Sequence, residues 1–233
     1  QDSRHYAEAA KLPMLEPSDS SEALAFAKAA YEISEKFDTP VIIKMCTRVA
    51  HSQSVVETGE REERPTKPYE KNIQKNVMMP ANAKKRHYDV EKRMKALEEY
   101  AETTPLNRIE WGGKELGIIT SSTSYQYTKE VFGDSVSVLK LGMVHPLPEK
   151  LIRKFASNVK SLAVIEELDP VIENYCKQLG LTVIGKDILP LEDEYSQNLI
   201  AAAFGRPVPE GKKLADAVPP RPPVMCAGCP HRG

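Results

Sequence analysis

Apolar residues near the amino terminus follow two different spacings, which predict a helix and then a strand. Between residues 21 and 37 they recur at intervals of three and four, as on the buried face of a helix, at Ala23, Leu24, Phe26, Ala27, Ala30, Tyr31 and Ile33. Polar and acidic residues at 17–22 can cap its start, and Asp38-Thr39-Pro40 ends it. Residues 41–45 are almost entirely apolar, as in a strand covered on both faces. Together with a short extended run at residues 12–15, the pattern predicts a strand, helix, strand unit.

The second half of the chain alternates regularly between the same two patterns. Apolar runs predict strands at residues 116–120, 136–141, 161–167 and 181–185. Helical spacing between these runs predicts helices at residues 124–132, 147–156 and 170–179, with Pro148 in a first turn, where proline is tolerated. Strands that alternate with helices form an open sheet whose strands run parallel. The predicted fold class is therefore α/β.

Residues 53–107, between these two units, have a different character. They are dense in charge, carry prolines at positions 65, 68, 80 and 105, and show almost no strand signal, which predicts a charged linker. Residues 83–101 are an exception, because apolar side chains at helical spacing predict one amphipathic helix there, at Val90, Met94, Leu97 and Ala101. We accordingly divide the chain into residues 1–52, 53–107, 108–212 and 213–233.

The composition argues against several classes of partner and location. With 32 basic and 33 acidic residues the formal net charge is −1, which gives no electrostatic basis for capture of nucleic acid or an anionic membrane. No apolar run approaches the roughly 20 residues of a membrane span, and no signal peptide pattern occurs in the first thirty residues. The cysteines lack the spacing of a disulfide framework, at positions 46, 176, 226 and 229. We therefore expect a soluble protein of the reducing cytoplasm.

The loops expected to meet a ligand carry no nucleotide-binding motif. Neither Gly-x-Gly-x-x-Gly nor a Gly-Lys-Ser/Thr triplet occurs in the chain. Ligands of open sheets meet the loops after the carboxyl ends of strands. In the last such loop Glu166 and Glu167 are adjacent, so their side chains point to opposite faces of the strand and cannot act as a close acid-base pair. One of them is expected to cap the next helix, and His145 is interpreted as a turn residue.

Several short motifs occur together in a fixed order. They are Arg48-Val49-Ala50-His51-Ser52, residues 118–127, the helix start Leu147-Pro148, residues 164–168 and the terminal Cys-Ala-Gly-Cys-Pro-His-Arg run. As a set that spans nearly the whole chain, they resemble the alpha subunit of indolepyruvate ferredoxin oxidoreductases. That family belongs to the thiamine-diphosphate-dependent 2-oxoacid:ferredoxin oxidoreductases.

The resemblance implies an internal fragment of a longer subunit. Residues 1–52 would be the end of the pyrimidine-binding domain of a thiamine enzyme, and residues 108–212 a transketolase C-terminal-like domain with an open parallel sheet. Residues 213–233 would be a linker and the start of the pyrophosphate-binding domain. The resemblance places the activating glutamate, the diphosphate and magnesium motif and most iron-sulfur cysteines outside this sequence. We therefore expect the fragment alone to be inactive.

For the full enzyme, the resemblance implies thiamine-dependent oxidative decarboxylation of an aryl 2-oxoacid such as indolepyruvate. Coenzyme A would accept the acyl group, ferredoxin the electrons through iron-sulfur clusters, and a beta subunit would be the protein partner. A homodimer is left open, and neither nucleic acid nor a membrane is expected. Two alternatives stay open: a subunit of a pyruvate or 2-oxoglutarate ferredoxin oxidoreductase, and a non-catalytic α/β module that assembles subunits.

Three residues are candidates for contact with the cofactor or substrate, while no catalytic residue is assigned. Arg4 could hold a carboxylate through its planar guanidinium, or pair locally with Asp2 or Glu8. Arg48 and His51 follow the carboxyl end of a predicted strand, which is the correct side for a ligand. Their alternative role is an interdomain hydrogen-bond cluster that anchors the linker.

Cys226 and Cys229 are the candidate metal ligands. In related pyruvate enzymes a similar run holds an iron-sulfur cluster, although the Pro-His that follows Cys229 departs from that run. Half of a zinc site is a second interpretation, for which no second cysteine pair occurs in the chain. A tight turn with free thiols is the third.

Overall fold

The computed structural model describes residues 2–210, with residues 62, 64 and 67 left out. In this part of the chain the strands are β1 (Met14–Leu15), β2 (Ile42–Ile43), β3 (Arg108–Glu110), β4 (Leu116–Ser121), β5 (Ser137–Leu141), β6 (Met143–His145) and β7 (Ser161–Ile165). The helices are α1 (Arg4–Ala10), α2 (Ser20–Phe37), α3 (Thr47–His51), α4 (Ile73–Asn76), α5 (Pro80–Ala101), α6 (Ser122–Phe132), α7 (Glu149–Ala156), α8 (Val171–Gln178) and α9 (Gln197–Ala203). The predicted α/β fold class is confirmed.

The larger sheet has the strand order β3-β5-β4-β7. Its central part is parallel as predicted, since β4 pairs with both β5 and β7 in parallel register. The edge strand β3 pairs antiparallel with β5 and was not predicted. The predicted fourth strand, at residues 181–185, is reduced to a single bridge between Ile184 and Ala163. Just after this bridge, the Lys186 amide donates a hydrogen bond to the Glu173 carboxylate at 2.8 Å instead of pairing with β7.

Different helices cover the two faces of this sheet. Alternate residues of a strand point to opposite faces. One face packs against α7 and α8 through a buried apolar cluster that includes Ile119, Leu139, Val164, Phe155 and Ile172. The other face packs against α6 and α9 through Ile118, Val138, Ala163, Phe132 and Ile200. The result is a three-layer α/β arrangement with a core on each side.

The smaller sheet joins the amino-terminal unit of the chain to the unit that contains the larger sheet. Its order is β2-β1-β6, with β1 and β2 parallel and β6 antiparallel to β1. Helix α2 begins at its cap Asp19, whose side chain accepts a hydrogen bond from the Glu22 amide, and ends close to where the apolar spacing predicted. The strand predicted at residues 41–45 is shortened to β2. It is shortened because β1, its hydrogen-bonding partner, is itself only two residues long.

The segment that connects the two units is long and exposed. The predicted amphipathic helix is present as α5, and its Leu97 and Ala101 are buried against α2 and β6. Between residues 52 and 79, every described residue except Val56 is exposed. The exposed apolar side chains here include Val55 at 98% and Tyr69 at 84%. This segment, including α4, contributes almost nothing to the core.

Two further observations concern the limits of the described chain. No helix among residues 2–210, outside the three omitted positions, is both long enough and apolar enough to cross a membrane. The whole of the predicted fourth segment, with Cys226 and Cys229, lies outside the described residues.

Candidate functional site

A cleft of about 520 Å³ opens where the carboxyl ends of β2, β4 and β7 meet. This is the edge at which open α/β sheets bind their ligands. Its lining combines residues from both units of the chain, among them Ser3, Arg4, Glu16, Lys44, Cys46, Arg48, Ser121, Ser122, Ser124, Glu167, Leu168, Asp193 and Glu194.

Unusual backbone conformations are concentrated in this cleft. Ser122, Leu168 and Asp193 line it, and all three have left-handed φ angles, of 50°, 64° and 67°. Among the described residues, the other non-glycine examples are Lys11 and Asp38, which are helix C-caps, where this conformation is common. A left-handed non-glycine residue costs about 1–2 kcal/mol, and such residues cluster at functional sites. Their concentration is the main structural reason to treat the cleft as functional.

A buried carboxylate ties the two sheets together at the floor of the cleft. Glu16 directly follows β1 and is only 1% exposed. Ser121, at the end of β4, donates a hydrogen bond to Glu16 Oε2 at 2.7 Å. The Lys44 ammonium, just after β2, forms an ion pair with Glu16 Oε1. The ends of β1, β2 and β4 are therefore locked in one arrangement.

Arg4 is the predicted site residue with the most contacts. It is 3% exposed, and its guanidinium binds both carboxylate oxygens of Asp2 and the Glu166 carboxylate. It also donates to the backbone carbonyls of Glu167 and Asp169, at 2.9 and 2.8 Å. Burial alone would raise the pKa of Asp2, but the hydrogen bonds and charge of Arg4 outweigh this effect and hold that pKa below its ordinary value. The local pairing with Asp2 foreseen as an alternative is present.

Arg48 and His51 differ in their relation to the cleft. Arg48 lines it, donates to the Glu194 carboxylate at 2.9 Å, and lies over the ring of Tyr127, with 5.4 Å from its guanidinium carbon to the ring centroid. Both members of this ion pair are largely exposed, so it contributes little to stability. His51, the last residue of α3, is exposed and does not line the cleft. The cleft therefore brings Arg4 and Arg48 together but leaves His51 outside.

Glu166 and Glu167 point in opposite directions, as the strand geometry predicted. Glu166 accepts hydrogen bonds from the backbone amides of Ile172 and Glu173, so it caps the first turn of α8. Glu167 lines the cleft and accepts a hydrogen bond from the Tyr195 amide at 2.8 Å. Burial raises the pKa of the Glu167 carboxyl, against the lowering effect of that hydrogen bond. Glu167 is thus a titratable group at the edge of the cleft.

The sequence analysis missed Glu16, Lys44 and Ser121. A signal for the first two was present, because Glu16 directly follows the extended run at residues 12–15 and the oppositely charged Lys44 is the one charged residue in the run at 41–45. Carboxyl ends of parallel neighbouring strands meet at one edge of a sheet, where such residues can pair. Ser121 carried no comparable signal, since several serines follow β4.

The described residues do not include a group of three or more side chains suited to a metal ion. His145, interpreted as a turn residue, ends β6 and is followed by a cis peptide bond to Pro146. Each cation that lines the cleft, namely Arg4, Lys44 and Arg48, is paired with a carboxylate. The cleft is therefore a polar surface with balanced charges rather than a strongly positive anion trap.

Comparison with known proteins finds relatives that align along essentially the whole chain. The chain is 39% identical over 251 aligned residues to indolepyruvate oxidoreductase subunit IorA of Archaeoglobus fulgidus, an alignment that covers 99% of the chain. It is 35% identical to IorA of Thermococcus kodakarensis, over all of the chain. The chain is homologous to a segment of IorA. It spans 40% of the length of these IorA relatives.

Solved structures agree with this homology to IorA at the level of the fold. The 2-oxoglutarate:ferredoxin oxidoreductase of Magnetococcus marinus, solved with 2-oxoglutarate, coenzyme A and succinyl-CoA bound, superposes with a TM-score of 0.52 and covers 74% of the chain and 38% of its own. The identity is 14%, so the likeness shows a shared fold alone. No protein-family model matches the chain.

Proposed function

We propose that the chain forms part of the alpha subunit of a ferredoxin-dependent 2-oxoacid oxidoreductase that acts on aryl 2-oxoacids such as indolepyruvate. The observation that carries this proposal is the 34% to 39% identity to IorA subunits along essentially the entire chain. In the complete enzyme, thiamine diphosphate with magnesium would supply the decarboxylation chemistry. Coenzyme A would accept the acyl group, and ferredoxin would take the electrons through iron-sulfur clusters. A beta subunit completes the proposed assembly.

The described residues do not fit the diphosphate end of that cofactor. They contain no cluster of metal-ligating side chains, and the cations of the cleft are already paired with carboxylates. The diphosphate and its magnesium would therefore be held by other parts of the complete subunit. Iron-sulfur binding by Cys226 and Cys229 is part of the proposal and is supported by the Cys-x-x-Cys spacing of the two residues.

The cleft is proposed to form one wall of the ligand site. Arg48 can exchange its carboxylate partner for a ligand carboxylate, because both Arg48 and Glu194 are largely exposed. Arg4 would act by holding the wall in place, since its guanidinium is occupied by Asp2, Glu166 and two backbone carbonyls. His51 would act outside the cleft, where it can meet a neighbouring domain.

The test uses the full-length subunit with its beta partner, compared with the 233-residue chain alone. We expect thiamine diphosphate and magnesium to bind the full subunit in calorimetry, and the complex to reduce ferredoxin when indolepyruvate and coenzyme A are supplied. We expect neither property of the chain alone. A preference for pyruvate or 2-oxoglutarate in direct competition would reassign the substrate within the family. No activity with any 2-oxoacid would overturn the proposal.

A second candidate function is subunit assembly without catalysis. The exposed segment between residues 52 and 79 favours it, because large apolar side chains such as Val55 and Tyr69 are accessible there to a partner subunit. A complex that forms between the subunits but binds no thiamine diphosphate would support this alternative. For the location of the protein we propose the cytoplasm, supported by the free thiols of Cys46 and Cys176.

A further inference from the structure

We infer that Glu166 is a positioning residue that fixes the ligand-facing wall of the cleft through Arg4. The inference rests on the proposed function, because the ligand that it concerns is the 2-oxoacid or its cofactor adduct. Glu166 does not line the cleft itself. It acts on four residues that do, namely Ser3, Arg4, Glu167 and Leu168.

The Glu166 carboxylate joins two parts of the molecule. On one side, it accepts hydrogen bonds from the backbone amides of Ile172 and Glu173, at 3.0 and 2.9 Å, and so holds the start of α8. On the other side, its Oε2 atom binds the Arg4 guanidinium. The carboxylate is 2% exposed, so neither contact is weakened by bulk water. Glu166 therefore sets where the Arg4 guanidinium lies relative to α8.

Arg4 in turn positions the two segments that form this wall of the cleft. Through Asp2 it holds the segment before α1, and through the carbonyls of Glu167 and Asp169 it holds the loop after β7. Leu168 lies between those two carbonyls with a φ angle of 64°. A non-glycine residue keeps such a conformation only where its surroundings over-determine it. The Arg4 contacts on either side of Leu168 provide that constraint.

The consequence concerns the Glu167 side chain, which faces the cleft. The Glu167 backbone carbonyl accepts a hydrogen bond from Arg4. The Lys186 ammonium donates a hydrogen bond to the neighbouring Glu166 carbonyl at 2.8 Å. When the Arg4 contact is lost, Leu168 is free to leave the left-handed region, and the Glu167 carboxylate moves relative to the opposite wall at Ser122. Loss of the Arg4 contact should therefore weaken binding of the ligand more than it slows turnover.

The experiment measures steady-state kinetics of the full subunit with its beta partner, using ferredoxin reduction by the 2-oxoacid. Glu166→Gln removes the charge that binds Arg4 while keeping an oxygen that can accept from the α8 amides. We expect KM for the 2-oxoacid to rise about tenfold with a much smaller change in kcat. Hydrogen exchange at the amides of residues 167–169 should become faster in the same variant.

Glu173→Gln is the matched control. Glu173 is 3% exposed and also begins α8, but its carboxylate binds Lys177 and the Lys186 amide and does not contact Arg4. If Glu166→Gln acted only by removing a buried carboxylate charge, its KM would change as in this control. Equal KM changes in the two variants, or an unchanged KM in Glu166→Gln, would overturn the inference.

Leu168→Gly provides a second variant if Glu166→Gln fails to fold. Glycine adopts the left-handed region without strain, so this variant should fold while the loop gains freedom. We expect a KM increase in the same direction, and an unchanged KM would count against the inference. Wild-type enzyme that is inactive on every 2-oxoacid would instead overturn the proposed function. The two failures are thus distinguishable.

Discussion

Lys140 shows at the scale of one residue how the two units of the chain are joined. It lies in β5 with a fully buried side chain, and its ammonium pairs with Glu22 in the first turn of α2. The same ammonium lies 4.8 Å from the centroid of the Phe26 ring. Arg108 of β3 also binds Glu22, at 2.9 Å. A buried charge in one unit is therefore satisfied by a carboxylate of the other.

Glu22→Gln should be strongly destabilising, because it leaves the Lys140 ammonium buried without a counter-charge. Removal of one partner of a buried ion pair costs about 3–5 kcal/mol. Urea unfolding at neutral pH would measure the loss. The control is Glu115→Gln, which removes an exposed pair with Lys160 and should change stability little. Similar losses in both variants would contradict the role given to burial.

The same pair predicts an acid-sensitive stability. Burial would raise the pKa of Glu22, but the charge and hydrogen bond of Lys140, with further contacts from Ser18 and Arg108, lower it to about 2. An unfolded glutamate has a pKa of about 4.3, so the contribution of Glu22 is fully present above that value and is lost as the pH falls toward about 2. Unfolding free energies measured across this range should fall more steeply for the wild type than for Glu22→Gln. Curves of equal slope would show that groups other than Glu22 cause the loss of stability in acid.

Sequence reasoning succeeded for residues whose partners are close in the chain. The opposite orientation of Glu166 and Glu167 followed from strand geometry, and local pairing of Arg4 with Asp2 or Glu8 was one of the two interpretations of Arg4. It could not find the contact of Lys140 with Glu22, because nothing in a β-strand sequence shows which distant helix will cover it. For the same reason the contact between Arg4 and Glu166 was not foreseen.

At the scale of elements, the long helices and the central strands of the larger sheet were predicted well, while several short elements were shortened or missed. Helices α2 and α5 appeared close to their predicted bounds, because each presents a continuous apolar face that packing stabilises. The runs at residues 41–45 and 181–185 yielded only β2 and a single bridge. Apolar composition made them suitable for strands, but the length of a strand is set by its neighbours, which the sequence does not display.

The end of α5 is fixed to α7 by a single carboxylate. Glu102, the C-cap of α5, accepts hydrogen bonds from the backbone amides of Lys150 and Leu151, both at 2.8 Å. Glu102→Ala should lower stability by about 1 kcal/mol, as for the loss of a helix cap. Thermal unfolding would measure this change, and amide exchange at Lys150 and Leu151 should become faster. Glu99→Ala, an exposed glutamate of the same helix, is the control and should leave those two amides protected.

At the scale of the whole molecule, the exposed connection and the tightly joined units lead to a proteolysis prediction. Trypsin should cut first between residues 52 and 79, for example after Arg61 or Lys71, because this segment is exposed and mostly without regular structure. The two pieces should stay together in size-exclusion chromatography, since β1 pairs with β6 and Lys140 with Glu22. They should separate in denaturant.

Two outcomes of the digestion would contradict this picture. First cleavage inside α2 or the larger sheet would show that these elements open more readily than the segment between residues 52 and 79. Separation of the pieces under native conditions would show that the contacts between the two units are too weak to hold without the connecting chain.

The antiparallel pairing of β1 with β6 also determines when the smaller sheet can be completed during synthesis. Met14 pairs with His145, so the first strand leaves the ribosome long before its partner exists. At about 5–20 residues per second, the delay is on the order of ten seconds. During that interval the apolar side chains of β1 and α2 have no cover from β6, and nascent chains in this condition are substrates for chaperones. The unit that contains β1 and α2 therefore becomes complete only after β6 has been synthesised.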